Sequence, residues 1–454
     1  MKRAATSGPV GSKKAKKPRP EVPEYHLTPS IKDAAGNDIW PAPQAQIDRA
    51  REIIRECAAA GKKTLIVPDK DADGLSSGAI LQRTLILLGL APELISAHLL
   101  QKGGSIHDQA EREAMAKHEP QYIFVLDQGS RRAPPVVDTP HRTALIIDHH
   151  WAGDDEADFP AGSEHVTACH SPPVATSSLL TYLICLPLHP AVGERCSWLC
   201  VVGTHGDLGN TLKWEPPFPD MKLTFKTYTK KALNDVVSLI NAPRRTASFS
   251  VGRAWAALTS AATPSEILQN RDLLAARAEV NAEVERCTHT APQFSADAKI
   301  AVFRISSAAQ VHPVIATRWA GHLQSNKLEV VLVANEGYLP GMVNFSCRIP
   351  RSARARSGPP VNIIDTLRGI VEQSPDPTLR ERLGESFARG HKEASGGIVP
   401  KEEFEELMAI MEVGKKSTAA AAADAGSPTK KAGGKVIAKQ SNTLMNYFGK
   451  KGTV

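Results

Sequence analysis

The sequence predicts an α/β protein in which a parallel-sheet domain is joined by a helical connector to a smaller α/β domain, between disordered termini. Three observations predict it. Continuous apolar runs, "KTLIVPD", "YIFVLDQG" and "TALIIDHH", alternate with helical periodicities, the pattern of a parallel sheet covered on both faces. A second set of apolar runs, "AKIAVFRI", "LEVVLVANE" and "GMVNFSCRI", begins after a long charged stretch. The two ends are rich in Lys, Pro, Gly or Ala and lack periodicity, as segments do that cannot bury a core.

Residues 1–40 read as a disordered basic arm, with Lys2, Arg3, Lys13, Lys14, Lys16, Lys17 and Arg19 and no acid in its first twenty positions. The clusters look like a bipartite nuclear localisation signal; the plainer alternative is a solvated arm that holds phosphate non-specifically. The first domain spans 41–240. "AQIDRAREIIRECAAAG" is an amphipathic helix stopped by Gly61, and "SSGAILQRTLILLGL" is a second helix. "WEPPFP" marks a loop or insertion. The connector, 241–290, contains "PSEILQNRDLLAARAEVNAEVERC", read as one long charged helix. The second domain, 291–412, sets its strands around the helix candidate "HPVIATRWAGHLQ", and 413–454 is a low-complexity tail.

With 454 residues, 42% hydrophobic and 23% charged, the chain has the composition of a soluble globular protein. No apolar stretch is long enough to predict a membrane span, and the N-terminus lacks the apolar core of a secretory signal. Seven cysteines form no CxxC pair. Cys196 and Cys200 stand at helical spacing and read as buried thiols of a reducing compartment rather than zinc ligands.

The chemistry lies at the strand ends. "LIVPDKDADG" puts Asp69, Asp71 and Asp73 just past one apolar run, and "FVLDQG" puts Asp127 past another. "LIIDHH" adds Asp148, His149 and His150, and "VVGTHGDLGN" adds His205 and Asp207. Each has a bland reading: a lone Asp after a strand is usually a turn or cap residue, and adjacent histidines are usually surface residues. Together they aim at least five carboxylates and two imidazoles at the carboxyl edge of one sheet, where open α/β sheets bind ligands. So many acids cannot share a crevice ionised without cations between them. Carboxylate and imidazole without thiolate favours Mn2+ or Mg2+, and a pair of ions suits displacement at phosphorus.

Asp71-Ala72-Asp73-Gly74, Asp127-Gln128-Gly129, Asp148-His149-His150 and Gly206-Asp207 resemble, in order, the four motifs of the DHH phosphoesterase superfamily, and most closely its RecJ-type single-strand exonucleases. Gly390-His391-Lys392-Glu393-Ala394-Ser395-Gly396 resembles the glycine-rich element of the DHH-associated domain, with Arg389 and Ser395 departing from it. "VHPVIATR", with His312 and Arg318, "NFSCR", with Arg348, and "INAPRR" are similar to further elements of those proteins. The resemblance covers about 60–412 and implies a two-metal phosphodiesterase with its site between two lobes. Asp71, Asp73, Asp127, His149 and Asp207 match the metal ligands, with Asp127 the bridging group and Asp69 a further candidate. Asp148 is expected to orient a histidine, and His150 to contact phosphate or protonate a leaving group. Arg348, His391, Gly390, Ser395 and Gly396 are expected to bind substrate.

The tail "KQSNTLMNYFGKK" presents Leu444, Tyr447 and Phe448 as a three-pronged plug and resembles the peptide that binds the sliding clamp PCNA, although Ser441 stands where Gln is usual. Ser427-Pro428-Thr429-Lys430 would suit proline-directed phosphorylation. The expectation is therefore a nuclear, Mn2+- or Mg2+-dependent exonuclease on single-stranded DNA or RNA in replication or repair. One competing reading keeps the chemistry but takes small phosphoesters, short oligonucleotides or polyphosphate. Another is a non-catalytic scaffold that binds the clamp.

Overall fold

Alternation decides how the first sheet is covered. In the computed structural model, which describes residues 28–138, 142–153, 158–323, 325–356 and 358–415, Ile66, Phe124, Leu126, Leu145 and Ile147 enter one hydrophobic core. Their neighbours Leu65, Val67, Ile123, Val125 and Ile146 enter another on the opposite face. Successive strand side chains point to opposite faces, so an unbroken apolar run is what a doubly covered sheet requires.

The first lobe runs α1 (Gln44–Ala60), β1 (Thr64–Pro68), α2 (Ala72–Leu87), β2 (Ile95–Ala97), α3 (Gln109–Ala116), β3 (Tyr122–Leu126), β4 (Thr143–Asp148) and β5 (Ser163–Thr167). Then come α4 (Ser177–Cys185), α5 (Val192–Leu208), α6 (Lys222–Tyr228) and α7 (Lys230–Ile240). The strands form a five-stranded sheet in the order β2-β1-β3-β4-β5, every pair parallel. All strand carboxyl ends therefore share one edge.

α8 (Val251–Ser260), α9 (Pro264–Gln269) and α10 (Arg271–Thr288) follow. Val251, Ala254, Leu258, Ile267 and Leu273 join the core of the first lobe, whereas Val280 and Val284 of α10 pack into the second. α10 thus crosses between lobes. The single long helix read from the sequence is two helices: Asn270, extended at ψ 113°, accepts a hydrogen bond from Leu273 N and caps α10 afresh. The amino-terminal arm also ends earlier than its composition suggests, because Lys32 pairs with Asp38 across a turn and Trp40 donates to the Pro173 carbonyl.

The second lobe holds β6 (Gln293–Phe294), β7 (Ile300–Ile305), α11 (His312–His322), β8 (Val330–Asn335), β9 (Met342–Arg348), α12 (Arg351–Arg354), α13 (Ile363–Val371), α14 (Leu379–Arg382), β10 (Arg389–His391), β11 (Ala394–Pro400) and α15 (Lys401–Ile410). Its sheet is mixed, in the order β10-β11-β9-β8-β7-β6. The glycine-rich element read from the sequence is the β10–β11 hairpin, with Gly390 paired to Ser395. Among the described residues no helix is long and apolar enough to cross a membrane.

The lobes touch through side chains from the first lobe's loops. Lys102 donates to the Ala308 carbonyl at 2.7 Å and lies 4.1 Å over the Tyr338 ring. Arg131 pairs with Glu385 at 2.9 Å.

Candidate metal centre

The centre is assembled at the carboxyl edge of the first sheet. Asp69 leaves β1 with its N–H on the Leu126 carbonyl. Asp71 caps α2, accepting from the N–H groups of Asp73 and Gly74 at 3.0 and 3.3 Å, so the helix begins at Ala72, four residues earlier than its periodicity indicates. The motif acids are thereby fixed on a helical first turn rather than in a loop. A Cβ on Gly74 would stand 2.7 Å from the Asp69 backbone, and this close approach seats the helix end on the strand end.

Asp73 is fully buried and held on both oxygens by the start of α4. Ser177 N donates to Oδ2 at 2.7 Å and Ser178 N to Oδ1 at 3.0 Å, and the Ser178 hydroxyl adds a short bond. Asp127, at φ +63°, turns back beneath β3 and accepts from Ser177 Oγ at 3.0 Å. Asp207 reaches in from the last turn of α5.

His149 lies among these acids, with Nε2 3.2 Å from Asp127 Oδ1, 3.2 Å from Asp207 Oδ2 and 3.9 Å from Asp73 Oδ2. That nitrogen is buried and forms no hydrogen bond. An imidazole ringed by carboxylates yet directed squarely at none of them has the disposition of a co-ligand. Three sets of side chains bring ligand atoms within 4.8 Å of one another: Asp73, His149 and Asp207; Asp69, Asp71 and Asp127; Asp127, His149 and His150. The donor set is oxygen and imidazole, the chemistry of Mn2+ or Mg2+.

Electrostatics agree with this fit. Burial and the Asp207 carboxylate push Asp73 up to about 6. Burial and Asp73 push Asp127 well above the carboxylate range. Burial pushes His149 down, but Asp127 and Asp207 outweigh it and raise the imidazole well above its ordinary value. A cation would take the place of these protons.

Asp148 is wholly buried. It accepts from Ser130 N, His149 N, His150 N and His150 Nδ1 at 3.2, 2.8, 3.2 and 2.8 Å. Burial would raise its pKa, but the His150 hydrogen bond and charge overcome that and hold it down. It fixes the ring of His150, whose side chain is 58% exposed at the mouth of the site.

Beside the acids, Arg244 stands 3.8 Å from Asp71 and donates to Asn241, which itself accepts from Ala72 N. Arg245 is pushed down to about 9 by burial and by Arg244, with Arg348 adding to the effect. His312 opens α11, is buried, and leaves Nδ1 without a hydrogen bond; burial and the nearby Arg348 push it down to about 3. Guanidinium groups crowded near a neutral imidazole are a chemistry suited to an anion. Arg348 donates to Ser346 Oγ and its neighbour's carbonyl.

No family model matches the chain, and no curated protein matches it in sequence. Solved structures do match. RecJ of Thermus thermophilus in complex with Mn2+ aligns with a TM-score of 0.57 at 19% identity, over 82% of this chain and 55% of that one. Exonuclease RecJ bound to manganese aligns at 0.55 and 19% identity, over 86% and 97%. The DHH domain of a member of a ribosomal-protein family aligns at 0.60 and 15% identity, over 81% and 90%. This chain has the RecJ-like DHH fold. It spans 55% of the length of the Thermus protein.

Within the RecJ-like DHH fold, the residues singled out in the sequence fall into separate groups. Asp69, Asp71, Asp73, Asp127, His149, His150 and Asp207 converge. Ser395 does not present its hydroxyl to the cleft: it is buried and donates to the Arg389 carbonyl, holding the hairpin closed. Gly390 at φ +105° and Gly396, where a Cβ would meet the Phe345 carbonyl at 2.4 Å, serve the same hairpin through their backbones. Arg318 pairs with Glu285 and Thr288 on α10, away from the cleft. His205 accepts from Trp214 Nε1 and bonds Asn234, joining α5 to the segments after it. Residues 1–27, 427–430, Leu444, Tyr447, Phe448 and the His391 side chain lie outside what the structure describes. Sequence reading missed Ser177 and Ser178, although "TSSLL" carries the cap signature of a helix start.

Proposed function

We propose that the chain is a two-metal phosphodiesterase and, within that class, an exonuclease on single-stranded nucleic acid. The observation that carries it is His149 Nε2, buried without a hydrogen bond amid Asp73, Asp127 and Asp207. Asp73, His149 and Asp207 would hold one ion and Asp69 and Asp71 another, with Asp127 shared. Held there, two ions would supply a water of lowered pKa and neutralise charge at phosphorus. Asp148 keeps His150 oriented at the mouth, where its exposed ring can meet a phosphate or a departing oxygen. Arg244, Arg245 and Arg348 receive the phosphodiester beside the acids, and His312 remains neutral near them.

The RecJ likeness favours a strand of nucleic acid over a small phosphoester. The basic arm, with Lys13, Lys14, Lys16 and Lys17, favours a nuclear protein, and Leu444, Tyr447 and Phe448 favour recruitment by the sliding clamp in replication or repair.

The test is incubation of the full chain with Mn2+ and end-labelled single-stranded DNA, with RNA, a dinucleotide and polyphosphate in parallel and Asp127→Asn as control. Stepwise shortening of a strand, absent in the variant, is the expected result. Hydrolysis of the small substrates alone would replace the exonuclease reading, and inertness towards all would return the chain to a scaffold.

A further inference from the structure

The chain has six tryptophans. Trp40, Trp198, Trp214 and Trp255 pack on the core of the first lobe and Trp319 on that of the second. Trp151 does neither: it is 77% exposed. A tryptophan gains most of its stabilising energy by burying roughly 150–250 Å2, and this one forgoes it. Its position is not arbitrary. It follows His150 directly in "DHHW", so its Cα lies about 3.8 Å from that of a residue in the metal-centre cluster.

The ring is held without being covered. His170 meets it edge to face, with centroids 5.1 Å apart and planes at 72°, and His170 is itself tied to the Ala152 carbonyl through Nε2 at 2.9 Å. A T-shaped neighbour uses one edge or face of an aromatic and leaves broad π surface open. The segment bearing His170 runs on into Ser177 and Ser178, which clasp Asp73. Both supports of the ring are thus anchored on the elements that position the metal ligands.

We infer that Trp151 is a stacking platform for a nucleobase of the substrate, placed so that the base rests on the indole while its phosphodiester lies at the metal centre. This deepens the phosphodiesterase reading and rests on it. A planar π face suits every base and reads no sequence, whereas polyphosphate or a simple alkyl phosphoester has nothing to place there. The base-bearing substrate class follows from the side chain that directly follows the cluster's His150.

The experiment compares wild type, Trp151→Ala and Trp151→Phe on a tetranucleotide and on its abasic counterpart with Mn2+, and titrates each protein with dAMP while reading tryptophan emission. Wild type is expected to favour the base-bearing substrate in kcat/KM by about tenfold, the effect of one base stack. That preference should collapse in Trp151→Ala and persist in Trp151→Phe, with the change carried by KM. Emission of the wild type should be quenched by dAMP and that of both variants should not. Equal preference in wild type and Trp151→Ala would overturn the inference. If the wild type hydrolyses no nucleotide, the nuclease reading fails, and the dAMP titration still decides: quenching that disappears with Trp151 upholds the platform, and its absence refutes it. Trp151 as a contact for another protein would give that last result.

Discussion

Asp127 shows how one residue can carry a turn and a charge together. At φ +63° it occupies the left-handed region that Asp and Asn tolerate and other side chains resist by about 1–2 kcal/mol. Its carboxylate is buried beside Asp73, and burial, with the like charge of Asp73 added, disfavours its ionised form in the metal-free protein. Asp127→Asn keeps the turn and removes the charge. Its melting temperature without metal should therefore equal or exceed that of the wild type. Mn2+ at a hundredfold excess over Kd should stabilise the wild type by about 2.7 kcal/mol and the variant far less. Calorimetric scans with and without Mn2+ would check this, and a variant that melts well below the wild type without metal would show a structural role instead. The acids were legible because charge seldom follows a buried run without reason. Ser177, Ser178, Arg244 and Arg245 were not, since hydroxyls at a helix start and arginines after a proline have commonplace uses, and only the fold brings them to the acids.

At the level of elements, α2, α4 and α5 cross closely behind Asp73. Gly203 of α5 faces Ser178 so tightly that a Cβ there would lie 2.2 Å from Ser178 Oγ and 2.9 Å from Asp73 Oδ1. Gly203→Ala should cost about 1–3 kcal/mol by overpacking and, by displacing Ser178, weaken Mn2+ binding at least severalfold in titration calorimetry. Unchanged affinity would mean that the serines do not position Asp73. The parallel sheet was readable because runs such as "FVL" and "LII" are apolar without alternation. β2 and β5 were not: Ile95–Ala97 is three residues long, and "SEHVT" is an edge strand whose one apolar residue is Val166. The break at Asn270 was hidden because Asn is an ordinary helix residue as well as a cap.

For the whole molecule, acid should act through the joint between the lobes. The unfolded chain protonates His312 near its ordinary value of about 6.5, whereas the folded protein does so only near 3. Stability held above the unfolded value is therefore lost progressively as pH falls from about 6.5 toward 3. Near pH 4.5 the loss from this group is about 2–3 kcal/mol. In His312→Asn, the difference in unfolding free energy between pH 7.5 and 4.5 should shrink by about that amount in denaturant titrations, and an unaltered difference would exclude His312 as its source. The order of the ligands has a further consequence for biosynthesis. They are scattered from Asp69 to Asp207 across every strand of the sheet except its edges, so a nascent chain cannot close the centre until α5 has emerged from the ribosome. The finished centre is then a seal set on a finished lobe: a chain truncated before Asp207 would keep the set of Asp69, Asp71 and Asp127 but lack the carboxylate that completes the set of Asp73 and His149.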